Sequence, residues 1–425
     1  KTSPNFSDTI ILQGNLNVIP KELTVSLISS VTKVYDGNDN LLNLELALDT
    51  PIITDVVLAS GAGVYDSKDA GTRNYTVSGI TLSGADAENY YIQGGVNAIN
   101  TGADGVITKR TLTVIPDLNQ SKTFGESDPT LTYIYSGLIN GETPLFSGAL
   151  GRNQGEDVGS YQMTQGDLVP QDNGLFLKDN YAITYEAGEF TITSKLISDT
   201  DITIASIADL VYTGIGQTPS PAVQDGTTVL VVDTDYTLSY VDNINVGTAT
   251  VTVTGIGNYS GTKDVTFDIT LAPLTIISAD KTKVFGEADP ELTVSYIGFV
   301  NGEDQEDLTG TLAVSRVAGE SVGTYAIRAS GLTSTNYALT YTAGEFTITS
   351  KSVTDTDITI APIADLVYTG LGQTPSPAVQ DGTTVLVADT DYTLSYVDNI
   401  NVGTATVTVT GIGNYSGTKD VTFDI

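Results

Sequence analysis

The residues of this chain that could do chemistry are carboxylates, hydroxyls and a few lysines, because histidine and cysteine are absent. Without them the usual nucleophile–base pairs and the soft metal sites cannot be assembled. No Ser-x-x-Lys arrangement stands in a helical setting that would hold it. A carboxylate pair for glycoside hydrolysis needs a cleft, and the short repeats described below are too narrow to make one. The Gly pairs of "GIGNYSG" are no phosphate loop, since no helix follows them. The expectation is a protein that is not an enzyme and holds no organic cofactor.

Hard oxygen ligands remain. Asp199 and Asp201 stand in "SDTDITI", and Asp355 and Asp357 in "TDTDITI". Closely spaced acids suit calcium, although the Gly and distal Glu of an EF-hand loop are missing. Two readings stay open: calcium bound where successive repeats join, or acidic linker charge in water. A row of threonines at 248, 250, 252 and 254 recurs at 404, 406, 408 and 410. It reads as the wet face of a strand. The N-x-S/T triplets at Asn74, Asn258 and Asn414 read as chance.

Charge limits the partners. With 18 basic and 51 acidic residues the net charge is −33. Nucleic acid and anionic membranes require clustered Lys and Arg, so neither is an expected partner. Such a charge keeps like molecules apart in solution. The lack of cysteine excludes a disulfide framework but names no compartment. No apolar run approaches the roughly 20 residues of a membrane span. Lys1 opens no signal peptide, so the sequence reads as a mature or internal piece of something longer.

What positions these residues is a repeat. Residues 201–269 return at 357–425 with three differences, Ser206/Pro362, Ile215/Leu371 and Val232/Ala388. A second unit alternates with the first. "LTVIPDLNQSKTFGESDPTLTY" (112–133) answers "LTIISADKTKVFGEADPELTVSY" (274–296), and the two copies close on "YAITYEAGEFTITSK" and "YALTYTAGEFTITSK". The first copy carries an insertion of about five residues, placed at "VPQDNGLFLKDN" (169–180), where Phe176 could belong to a ligand patch or a capped edge. The phasing is 1–22 as the last strand of a preceding module, then modules 23–110, 111–195, 196–271, 272–351 and 352–425. Near-identical modules never adjoin, which limits strand exchange between them during folding.

Each module reads as all-β. Ala249, Val251 and Val253 alternate with threonines, and Phe190 and Ile192 with Thr191 and Thr193, which gives one buried and one wet face. Turn signals recur every eight to twelve residues and no 3.6-residue period is sustained. Antiparallel sheets packed face to face as Ig-like β-sandwiches fit this pattern. "VGSY" and "VGTY" place Gly159 before Tyr161 and Gly323 before Tyr325, which resembles a tyrosine corner anchoring a loop to a sheet.

"KVYDGN" (33–38) resembles the YDG-type module of bacterial surface proteins. "KTFGESDP…GEFTI" and "KVFGEADP…GEFTI" resemble the MBG family, YGX type, with Phe124 and Phe285 where tyrosine is usual, a departure expected to concern core packing. The 69-residue unit is similar to Ig-like repeats of large secreted adhesins. The resemblance implies very long exported proteins on bacterial surfaces, often in Bacteroidota, without catalytic residues to carry over. The expected function is a structural stalk of an extracellular adhesin, holding a distal tip away from the cell. Its partners would be the adjacent modules of the same chain. At about 3.3 Å per residue five modules would reach on the order of 150 to 200 Å. The alternatives are a module that binds glycan or protein directly, and a self-assembling extracellular filament.

Overall fold

The computed structural model describes residues 14–15, 17–95 and 99–425. Most of the proposed tail of a preceding module lies outside these residues. Its last two residues do not: Lys21–Leu23 pairs in parallel with Tyr90–Ile92, so Lys21 and Glu22 are strand residues of the first module. Among the described residues helix is confined to short 3-10 turns such as Gln305–Asp307. Backbone contacts divide the chain into two compact units. One comprises Lys1–Lys195 with Gly257–Tyr259, and the other Leu196–Ile256 with Ser260–Ile425.

In the first unit, residues 111–195 form two main sheets and a small one that pairs Leu145–Ser147 with Val169–Gln171. One main sheet orders Gln120–Thr123, Gly188–Thr193, Gly159–Thr164 and Gly151–Arg152, and the other Tyr133–Ser136, Arg110–Pro116 and Tyr181–Tyr185. Val114, Leu131, Met163, Phe190 and Ile192 fill the space between them. The module before it carries the sheet Thr32–Val34, Asn100–Thr108, Gly71–Ser83 and Leu58–Tyr65.

The second unit repeats this plan. Residues 272–351 form Lys281–Val284, Gly344–Thr349, Gly323–Thr333 and Thr309–Arg316, facing Val294–Ile297, Ala272–Ser278 and Tyr337–Thr342. The two 69-residue copies each set a sheet built on a long central hairpin, Tyr236–Val241 with Gly247–Gly255 or Tyr392–Val397 with Thr404–Gly411, beside a small three-stranded sheet. The alternation is as read from sequence: Ala249, Val251 and Val253 are buried, as are Ala405, Val407 and Val409.

The chain is all-β and built of tandem sandwiches. The sheets are mixed rather than purely antiparallel. Gln120–Thr123 runs parallel to Gly188–Thr193, Lys281–Val284 to Gly344–Thr349, and Ala272–Ser278 to Tyr337–Thr342. A parallel pair needs a long connection between its strands. Here most of a module intervenes, so an early strand can close the edge against the last one.

Candidate functional site: the junctions between modules

The MBG-like motif divides its labour. Lys122 and Asp128 of "KTFGESDP" meet Arg152 and Glu156: Lys122 Nζ lies 2.7 Å from Asp128, and Arg152 donates to Asp128 through Nε at 2.7 Å and Nη2 at 2.9 Å. Lys283, Asp289, Arg316 and Glu320 repeat this four-residue network. The Arg hydrogen bonds, with the Lys charge beside them, hold Asp128 and Asp289 down to about 2.

The network also holds the expected corner tyrosines. Arg152 lies 5.0 Å from the Tyr161 ring centre and Arg316 5.5 Å from that of Tyr325. Tyr161 donates its hydroxyl to the carbonyl of Asp157 at 2.6 Å, and Tyr325 to that of Ser321 at 2.7 Å. Gly159 and Gly323 open the strands that carry these rings. The crowded glycines are Gly155 and Gly319. A Cβ there would stand 2.2 Å and 2.1 Å from the Tyr161 and Tyr325 rings, too close for any side chain.

The aromatic residue of each motif points the other way, towards the next module. In the first unit Tyr35 of "KVYDG" meets Tyr181 edge-on at 5.6 Å. Both hydroxyls donate to Glu142, at 2.6 Å each, and only 9% of Glu142 is exposed. In the second unit Tyr212 of "LVYTG" meets Tyr337 edge-on at 5.6 Å. Both donate to Glu303, Tyr212 at 2.5 Å. A carboxylate accepts two such bonds readily and has no proton of its own to place. Burial, then the bond to the carboxylate, pushes Tyr181, Tyr212 and Tyr337 up to about 12 and raises Tyr35 for the same reasons.

An asparagine precedes the downstream tyrosine and forms a second contact. Asn180 accepts from the Ala70 N–H at 2.8 Å and donates to Asp69 at 3.0 Å. Asn336 accepts from the Val246 N–H at 3.1 Å and donates to Asn245 at 3.2 Å. The donors Ala70 and Val246 directly precede the Gly of "AGT" and "VGT".

A variant of this junction joins the last two modules. Phe285 meets Tyr415 edge-on at 5.5 Å, and the Val322 N–H donates to Asn414 at 2.8 Å. No glutamate is needed for a phenylalanine. Tyr415 instead donates to Asp381 at 3.2 Å, and Lys351 lies 2.6 Å from the same carboxylate. Burial, then the Asp381 charge, pushes Tyr415 up to about 12. Within the first unit Asn258 and Tyr259 form the same contact, with the Val158 N–H at 2.8 Å and the Phe124 ring at 5.5 Å. Phe285 therefore packs against two cores, that of its own module and that of the next.

The junction acids close turns. Asp199 accepts from the Asp201 N–H at 3.1 Å and Asp355 from the Asp357 N–H at 3.0 Å. Asp357 also lies 3.5 Å from Lys351. Among the described residues no group of three or more Asp or Glu side chains is arranged to hold a metal ion. The threonine rows are tied to neighbouring acids: Thr248 donates to Asp268, Thr252 to Asp264, Thr404 to Asp424 and Thr408 to Asp420, all within 2.7 Å. The inserted loop contributes Phe176, buried and stacked on Tyr181 at 5.0 Å, between the exposed Leu175 and Leu177.

Sequence reading missed Glu142, Glu303 and the Asn-Tyr pairs. The signal was present. "NGE" recurs at 140–142 and 301–303, and "NY" stands late in every module, at 89, 180, 258, 336 and 414. Two of those asparagines had been read only as N-x-S triplets.

Residues 112–191 and 274–347 match the family described as MBG domain (YGX type), and residues 19–98 match the YDG domain. No curated protein is significantly similar in sequence. Among solved structures, Sidekick-1 immunoglobulin domains 1–4 are 10% identical, with 73% of this chain and 96% of that one covered at a TM-score of 0.21. The N-terminal four Ig domains of Dscam1 isoform 9.44 are 11% identical, with 76% and 98% covered at a TM-score of 0.18. These scores are too low to assign a shared architecture.

Proposed function

From a chain that carries two MBG domains of the YGX type and a YDG domain, with a related repeat unit in two copies, we propose a stalk segment of a long bacterial cell-surface adhesin. The observation that carries this reading is the repeated junction. Three pairs of neighbouring modules, one in the first unit and two in the second, meet through an edge-on aromatic pair and an asparagine that accepts a backbone N–H. Flexible linkers are missing there. Asn100–Thr108 is separated from Arg110–Pro116 by one residue, as are Thr262–Thr270 from Ala272–Ser278 and Gly344–Thr349 from Lys351–Ser352. Short connections and buried polar contacts restrict hinge motion, and a Gly/Ser tether would not. Repetition of such a unit lengthens reach without new chemistry.

Both matched families are repeat modules, which favours a structural role over catalysis. No helix among the described residues is long and apolar enough to cross a membrane. The test is small-angle scattering of the 425-residue chain. A stalk gives a radius of gyration far above the roughly 22 Å of a compact protein this long. A value near that figure, unchanged by salt, overturns the reading.

A further inference from the structure

The two 69-residue copies present the same face in different states. In the first copy Tyr212 is 4% exposed, covered by Glu303 and Tyr337. Its counterpart 156 positions on, Tyr368, is 52% exposed. The difference extends across the face. A Cβ on Gly214 would lie 2.7 Å from the Asn301 side chain, whereas one on Gly370 would meet nothing nearer than the Tyr368 hydroxyl at 3.8 Å. Val246, half-buried, donates its N–H to Asn336, while its counterpart Val402 is 76% exposed. Leu371 and Ile400 beside it are exposed, as are their counterparts Ile215 and Ile244, so the difference between the copies rests on the tyrosine, glycine and valine positions. These residues are the same in both copies except for Ile215/Leu371. The first copy therefore displays what the second can bind.

The type of aromatic residue narrows the occupant. Where the upstream ring is tyrosine, as in Tyr35 and Tyr212, the downstream module is of the MBG type and supplies Asn-Gly-Glu. Where it is Phe285, the downstream module is the 69-residue repeat, which has no such glutamate. Tyr368 carries a hydroxyl that needs an acceptor once covered, because a buried unpaired hydroxyl is costly. We propose that the Tyr368 face of the last module is a docking surface for an MBG-type module presenting Asn-Gly-Glu and an Asn-Tyr pair. Glu would receive the Tyr368 hydroxyl, and Asn the Val402 N–H. The proposal is independent of the stalk reading, since it concerns which modules recognise one another whatever the array does.

The test extends the full chain at Ile425 with a second copy of residues 270–351, reproducing the connection that follows Ile269. Tyrosine nitration by tetranitromethane, read by mass spectrometry, reports each ring's access. In the unextended chain Tyr368 reacts at least tenfold faster than Tyr212. In the extended chain Tyr368 slows to within threefold of Tyr212, and E303Q in the appended copy alone restores at least half of the lost rate. Appending residues 352–425 instead leaves Tyr368 reactive. Undiminished reactivity of Tyr368 in the first extension, while Tyr212 stays protected, overturns the proposal. So does equal protection by either appended module. Concentration-dependent protection in the unextended chain would assign the face to a second copy and equally overturn it.

Discussion

Two junctions of the second unit solve one problem differently. The first places Tyr212 against Tyr337 and collects both hydroxyls on Glu303. The second places Phe285 against Tyr415 and leaves one hydroxyl for Asp381, which also faces Lys351. The ring geometry is nearly constant, with centres 5.6 and 5.5 Å apart. Edge-on aromatic pairs add about 0.5–1.5 kcal/mol beyond their buried area, so either junction gains from the rings alone. What differs is polarity. A carboxylate placed between two tyrosines gives both hydroxyls an acceptor, and a phenylalanine leaves only one hydroxyl to be satisfied. The rings are common to both junctions, and the polar partner differs with the number of hydroxyls the rings bring.

The largest effect should come from removing the shared acceptor. Glu303→Ala leaves two covered hydroxyls without their partner and should destabilise the junction by about 2–4 kcal/mol. The same change at Glu142 should act alike, and urea denaturation measures both. A loss below about 0.5 kcal/mol at both sites would mean that the rings suffice.

Exchanging the rings comes next. Phe285→Tyr adds a hydroxyl at a junction without the Asn-Gly-Glu acceptor and should cost about 1–3 kcal/mol. Tyr212→Phe removes one of two donors from Glu303 and should cost about 1 kcal/mol. Equal tolerance of both exchanges would break the distinction drawn here.

Alkaline titration sharpens it. Tyr212 and Tyr337 ionise in the folded state at about 12, above the ordinary tyrosine value of 10.0. The folded state thus keeps protons that the unfolded chain releases. The stabilisation is complete below pH 10 and is lost as pH rises through 12. Each tyrosine contributes a slope of at most about 1.4 kcal/mol per pH unit in that window. Tyr212→Phe should make the decline shallower by one proton's worth, read from denaturation curves between pH 9 and 12. An unchanged slope would remove Tyr212 from the set of raised tyrosines. On the acid side, Asp289 at about 2 predicts the reverse order. Its stabilisation is present above about pH 4, the ordinary Asp range, and falls away as pH drops through 2.

The smallest expected effect is that of a chelator. Asp199 and Asp355 already accept backbone N–H bonds within their own turns. EDTA should leave the melting temperature unchanged to within about 1 °C, since only an ion bound to the folded form would shift it. A fall of several degrees would restore calcium to the junctions.

The strands were legible in the sequence because their signal is local. Alternation at 247–255 and at 188–193 sets which side chains face inward whatever lies beyond the module, and burial of Val251 and Phe190 follows. The repeat boundaries were legible because a copied unit declares its own length. The parallel edge pairs were not, since nothing in "KTF" or "KVF" states which distant strand they will meet.

The junctions divide along the same line. By itself the sequence determined that "VYTG", "NGE" and "NY" recur, since each is a string of adjacent residues. Only the tertiary structure decided that Tyr212, Glu303 and Tyr337 form one site, because they lie 91 and 34 residues apart and on two modules. It alone separated Tyr212 from Tyr368, which stand in the same local string "DLVYTG". The physical reason is that a covered hydroxyl is defined by what covers it. That is a property of the neighbouring module, which a residue's own sequence context does not contain.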